Sequence, residues 1–430
     1  MRRKIEARLL AWKESAGGRA PLLLRGARHV GKTRILKEFG EKHYKNTVYV
    51  DFENNFTAAR YFDERANLKR LIWALETVTQ SVITPGETLI ILDEIQACTR
   101  ALPALKNFCR GRPAYHIIAA GSLLGVAEAR LETPLPAGRT ESATLHPLDF
   151  EEFLWELGEN HMAGEIRAHY AEMSPMPEAL HARAIELYRY YLAVGGMPDC
   201  VSAFAGGKVI LTIPAIQHDI VNSYTADMAK YSKHAEAVKL RACYDSIPEQ
   251  LTKENRKFQY TVVQRGGSAA LFGEAIGYLA QSCVTLKSGR MNLAAGSARI
   301  IEDPSSFKLY LNDAGLFTLR AGISQQAIMS GEASVFMDAA AENYIAQSLA
   351  AGGHRLFHWT STHTAEIDFA LQKDGDIIGV EVKRSTRARS KGLRGFIQKC
   401  SPAYIIRFSE RNFGTEKGVR AVPHYAAFCV

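Results

Sequence analysis

Three apolar runs stand out in the first third of the chain. They are Leu22-Leu23-Leu24, Leu89-Ile90-Ile91-Leu92 and Ile117-Ile118-Ala119-Ala120. They are apolar at every position rather than at alternate ones, the mark of strands buried on both faces of a parallel sheet. Each ends abruptly. The first runs into Gly26-Ala27-Arg28-His29-Val30-Gly31-Lys32-Thr33, the second into Asp93-Glu94 and the third into Gly121-Ser122. After the glycine loop, Ile35, Leu36 and Phe39 are spaced for one face of a helix. The pattern predicts an α/β fold in which three strands carry polar residues to one edge of a sheet.

Further along the pattern changes. Ala275 to Leu279 reads as helix and is followed by two strand-like pieces, Ala298 to Ile301 and Phe307 to Leu311, separated by Asp303-Pro304-Ser305-Ser306. Helices followed by a hairpin suggest a winged-helix-like module, in which Lys253, Arg256, Lys257 and Arg265 are available to phosphates. Beyond it, Ala365 to Phe369 and Ile378 to Lys383 read as strands flanking Asp374-Gly375, a hairpin-turn signal.

Composition adds bounds. The 430 residues exceed what one hydrophobic core supports and predict two to four domains. With 47% apolar and 23% charged residues the chain is an ordinary globular one. Its longest apolar stretch, Ile117 to Ala127, is broken by Gly121, Ser122 and Gly125 and falls short of the roughly 20 residues of a membrane span. The charged N-terminus leads into an amphipathic pattern, not a leader. Seven scattered cysteines without a CxxC pair signal neither a disulfide framework nor a zinc ribbon, so a cytoplasmic protein is expected. The net charge of +8 is local, because Lys383 to Arg420 holds eleven Lys or Arg against two Glu. Such a segment suits DNA or another polyanion, and equally a solvated face.

The glycine loop has the residues and the setting of a phosphate cradle. Gly26 and Gly31 let the backbone from Gly26 to Arg34 curl so that its N–H groups surround phosphate oxygens at a helix N-terminus. Lys32 supplies a cation to the β and γ phosphates of ATP, and Thr33 places a hydroxyl on Mg²⁺. Asp93 would complete the magnesium shell, and Glu94 would orient the attacking water. Ser122, at the end of the third strand, is a candidate γ-phosphate sensor, although a small residue there is also simply a turn. Arg139, in Ala137-Gly138-Arg139, is a candidate arginine finger acting within its own chain or on a neighbour.

In order, GARHVGKT, LIILDEIQ, AAGSLLG and AGRTESATLHPLDFEEFL resemble a family of bacterial and archaeal AAA-type ATPases that carry a C-terminal domain of unknown function. The segments YLAVGGMP (Tyr191 to Pro198), IPEQLTKENRKFQY (Ile247 to Tyr260) and KLYLNDAGL (Lys308 to Leu316) are similar to further family elements, so the resemblance spans nearly the whole chain. It implies an ATPase core over residues 1–150, a helical lid over 151–225, a winged-helix-like domain over 226–322 and a domain similar to the PD-(D/E)XK nuclease fold over 323–430. Ala120, where threonine is commoner, departs from the pattern and puts the sensor role of Ser122 in doubt.

In the last domain the resemblance gives the acidic residues a role. Glu342, Asp368 and Glu381 would hold one or two Mg²⁺ or Mn²⁺, with Lys383 positioning water for phosphodiester cleavage. By the two-residue period of a strand, Glu381 and Lys383 share a face, so the same residues also read as a solvent-facing ion pair. Three functions follow: an ATPase driving or gating a DNA-directed module, a slow nucleotide switch docking a protein or DNA partner, and an ATP-regulated nuclease. Assembly into homo-oligomers is compatible with each.

Overall fold

The continuous apolar runs form the middle of a five-stranded parallel sheet: β1 (Leu22–Arg25), β2 (Asn46–Asp51), β3 (Thr88–Asp93), β4 (His116–Gly121) and β5 (Glu141–Thr144), in the order β2-β3-β4-β1-β5. The structure is a computed structural model, and it describes all residues except 16–18, 63–66, 111–113, 132–139, 231, 233, 255, 294–298, 362–364 and 384–391, and the side chains of 56, 109 and 110. The central strands are buried on both faces, as continuous apolar runs require. On one face Leu23, Ile90, Leu92, Ile117 and Ala119 join Val48, Val50, Leu71 and Leu105 in a single core. On the helix after β1, Lys32–His43, residues Ile35, Leu36 and Phe39 are buried, as their spacing predicts.

Two compact units make up the chain, Met1–His146 with Gln281–Val284, and Pro147–Ala280 with Thr285–Val430. The second opens with the helices Phe150–Glu156, Asn160–Glu172, Glu178–Val194, Pro198–Ala205 and Ile213–Lys230. A capping box starts the first of them: the Asp149 side chain accepts the Glu152 N–H, and the Glu152 carboxylate accepts the Asp149 N–H. Around Tyr191 the rings of Phe150, Phe153 and Tyr344 pack edge to face.

An eight-stranded mixed sheet completes this unit. Its strands are β6 (Thr285–Leu293), β7 (Ile300–Leu311), β8 (Phe357–Thr360), β9 (Glu366–Lys373), β10 (Asp376–Val382), β11 (Tyr404–Ser409), β12 (Gly414–Glu416) and β13 (Val419–Pro423), in the order β12-β13-β11-β10-β9-β8-β6-β7. Two sequence expectations change here. Ile300 and Ile301 of the first piece and the whole of the second belong to one strand, β7, both pairing with β6 across a register jump from Gly289↔Phe307 to Arg290↔Asp303, while Ala298 lies outside the described residues. The residues between fall outside the ladder, where a proline without an N–H is tolerated. The expected hairpin therefore does not form; the hairpin present is β6 with β7, and it is continuous with the later strands, since β6 pairs with β8 in parallel. The Asp374-Gly375 turn forms as expected, both residues having positive φ, and joins β9 to β10 with Lys373 opposite Asp376. Among the described residues no helix is long and apolar enough to cross a membrane.

Candidate functional site

Gly31, at φ +92°, caps the helix Lys32–His43 in the left-handed conformation that glycine adopts without strain. At Gly26 a side chain is excluded by contact, since a Cβ there would lie 2.5 Å from the Leu145 carbonyl oxygen. The buried Arg3 guanidinium braces the loop from outside, donating to the carbonyls of Val30 (3.1 Å) and His146 (2.6 Å).

Within this cradle the predicted residues converge. The Lys32 ammonium is buried and donates to the carbonyls of Gly26 (2.8 Å) and Ala27 (2.9 Å). Burial pulls its pKa below the ordinary lysine value, and the Glu94 and Asp93 carboxylates oppose that shift. Thr33 Oγ1 donates to Asp93 Oδ2 at 2.6 Å, joining the loop after β1 to the end of β3 across the intervening β4. Hydroxyl and carboxylate oxygens are the hard donors that magnesium takes, so the pair fits a Mg²⁺ ion held with phosphate oxygens and water. Glu94 is left-handed at φ +47°, and its Oε2 accepts from Gln96 Nε2 (2.5 Å), Ser122 Oγ (3.3 Å) and the Ser122 N–H (3.4 Å). Ser122 therefore touches the Glu94 carboxylate. Arg34 lies apart, in an exposed ion pair with Glu38. Arg139 lies outside the described residues.

Three residues at this site were not singled out from sequence. Tyr49 donates its hydroxyl to Asp93 Oδ2 at 3.1 Å, and burial, with Asp93 beside it, holds its pKa well above the ordinary tyrosine value. Its signal was the two-residue period: Tyr49 and Asp51 share a face of β2, and Asp51 pairs with Asp93. Gln96 and Arg3 carried no such signal.

The acidic residues of the second unit are arranged differently. Glu342, buried at the centre of the helix Val335–Ala351, is met by three donors: Lys308 Nζ at 3.1 Å, Tyr310 Oη at 2.6 Å and the Arg256 guanidinium. Lys308, itself fully buried on β7, also lies 2.6 Å from Glu366 and 3.9 Å from Asp368. Burial and the neighbouring carboxylates hold the Tyr310 pKa up, so its hydroxyl remains a donor. Asp368 Oδ2 accepts the Val382 N–H at 2.8 Å. Glu381 is buried between Arg407 (2.8 Å) and Lys383 (3.6 Å), on the face that it shares with Lys383. Among the described residues no group of three His, Cys, Asp or Glu side chains is placed to hold a metal ion. Of the four basic residues expected near phosphates, Arg256 turns inward to Glu342, Lys253 pairs with Glu249 at 3.5 Å and Arg265 is exposed.

Comparison with known proteins agrees with the first unit. Residues 18–154 match the family model of an AAA domain, and the chain therefore carries an AAA-type P-loop ATPase domain. Residues 185–327 and 337–426 match two domains of unknown function, DUF8612 and DUF4143. No curated protein matches the sequence. Among solved structures, the Walker-type ATPase PABY2304 of Pyrococcus abyssi is 14% identical, covering 74% of this chain and 95% of its own at a TM-score of 0.45. The Aeropyrum pernix ORC2 protein is 13% identical (78% and 92% covered, TM-score 0.29), and AMPPCP-bound DnaA from Aquifex aeolicus is 14% identical (64% and 86%, TM-score 0.28).

Proposed function

We propose that the chain is a magnesium-dependent ATPase whose nucleotide cycle drives or gates a DNA-directed module in its second unit. The observation that carries this reading is the 2.6 Å contact between Thr33 and Asp93, beside the buried Lys32. Two oxygen donors from separate motifs meet at the N-terminal end of the helix Lys32–His43. Bound Mg²⁺ would neutralise charge on the β and γ phosphates. Lys32 would exchange the carbonyls of Gly26 and Ala27 for phosphate oxygens, and the loop from Gly26 to Arg34 would wrap the triphosphate. Glu94 would accept a proton from the attacking water or fix its orientation, with Gln96 and Ser122 holding the carboxylate in place. Arg139 is assigned to the transition-state charge, from the same chain or from a neighbour in a homo-oligomer.

The DNA-directed part is supported by charge. Arg394, Lys399, Arg411 and Lys417 are exposed in the segment whose net charge is +9. Residues 384–391 of that segment lie outside the described residues. A second reading, the slow switch that docks a partner through an inactive nuclease-like domain, is favoured over the ATP-regulated nuclease by one observation: Glu342 and Glu381 are each held by basic side chains. Steady-state ATP turnover with and without duplex DNA separates the two. Severalfold stimulation supports the driven module; unchanged turnover together with ATP-dependent assembly supports the switch.

A further inference from the structure

The acidic cluster of the second unit does not fit a divalent metal ion, because its carboxylates are already paired with basic side chains, one of which, Lys308, is fully buried. Glu342, Glu366, Asp368 and Glu381 face Lys308, Arg256, Lys383 and Arg407 in direct ion pairs, four carboxylates against four cations. We infer that Lys308 is the resident cation of this cluster: its ammonium stands among Glu342, Glu366 and Asp368 where a metal would be held. These three carboxylates then bind no divalent ion and supply no metal chemistry to a phosphodiester. The inference rests on the second unit alone and is independent of the ATPase reading.

Geometry excludes sharing. Lys308 Nζ is 2.6 Å from Glu366 Oε1, 3.1 Å from Glu342 Oε1 and 3.9 Å from Asp368 Oδ1. A magnesium ion at about 2.1 Å from the same oxygens would occupy the space of the ammonium. Nor can Lys308 withdraw to water, being fully buried on β7 beneath the helix Val335–Ala351. Displacing it would leave an uncompensated charge in the interior. The surroundings are arranged around a fixed cation as well. Tyr310 shares Glu342 Oε1 with Lys308, and the buried His358 keeps a neutral ring, its pKa pushed down to about 3 by burial and then by the Lys308 ammonium. Asp368, the carboxylate farthest from Nζ, uses its other oxygen to hold β10 through the Val382 N–H.

The test counts bound Mn²⁺ by electron paramagnetic resonance in the nucleotide-free full chain. Wild type and Asp368→Asn should bind equal numbers of ions. Lys308→Met, which keeps the length of the side chain and removes its charge, should bind one more, and the double variant Lys308→Met/Asp368→Asn should lose it again. A wild-type ion that disappears in Asp368→Asn or Glu342→Gln overturns the inference, as does a folded Lys308→Met protein that gains no ion. If Lys308→Met fails to fold, wild type against Asp368→Asn decides alone, equal counts upholding the inference and a lost ion refuting it.

Discussion

Replacing Glu94 with glutamine removes a charge while leaving its contacts intact. Gln96 Nε2 (2.5 Å), Ser122 Oγ (3.3 Å) and the Ser122 N–H (3.4 Å) all meet the same oxygen, Glu94 Oε2. A glutamine with its carbonyl oxygen at that point keeps the three interactions, and stability should change by less than about 1 kcal/mol. Nucleotide binding should survive as well, since Lys32 retains its bonds to Gly26 and Ala27 and the influence of Asp93. Turnover should not. A neutral amide neither accepts a proton nor polarises water, and the loss of a positioned general base costs roughly 10²–10⁴-fold, about 3–5 kcal/mol in the barrier. Phosphate release at saturating ATP and Mg²⁺, beside the affinity for a fluorescent ATP analogue, measures the two effects separately. Turnover at the wild-type rate would refute the role of Glu94, and an equal loss of binding and turnover would make it structural.

Other consequences concern the second unit. At Gly196 an added Cβ would lie 1.9 Å from the Leu148 carbonyl oxygen, which is already held by Tyr191 Oη, so Gly196→Ala should cost about 2–4 kcal/mol in urea unfolding; a cost below about 1 kcal/mol would mean that the turn opens freely. Asp313 accepts the N–H groups of Gly196 (2.6 Å) and Leu316 (2.9 Å), yet burial pushes its pKa up to about 6. The folded chain thus holds this proton more tightly than the unfolded chain. The associated stability is full below the unfolded value near 4 and is lost as pH rises through about 6, by about 3 kcal/mol. Wild type should therefore lose stability relative to Asp313→Asn between pH 4 and 7, and a flat difference would contradict the shift.

The placing of Lys32, Thr33, Asp93 and Glu94 near one another was largely legible because each sits in a local pattern. The loop from Gly26 to Thr33 and the Asp93-Glu94 pair each sit at the end of a run that can only be a buried strand, and sheet order brings them together. Gln96 was not visible because its role depends on how Glu94 turns, and the shared face of Tyr49 and Asp51 points to Asp93 only once β2 and β3 are neighbours. The second unit was less legible for a related reason. The strand-like piece Phe307 to Leu311 gave Lys308 and Tyr310 no role, whereas both are buried against the helix Val335–Ala351. That helix is buried along nearly its whole length, Glu342 included, so it has no polar face to orient it in sequence. Arg256 looked like a phosphate contact and instead pairs with Glu342, a partner 86 positions away in the sequence.

The most direct test of the central claim is ATP hydrolysis by the purified full chain with Mg²⁺, with EDTA, and as Lys32→Ala. The account predicts turnover in the first case only, with nucleotide affinity lowered in Lys32→Ala. Equal phosphate release by wild type and Lys32→Ala, or tight ATP binding with no hydrolysis under any condition, would contradict it.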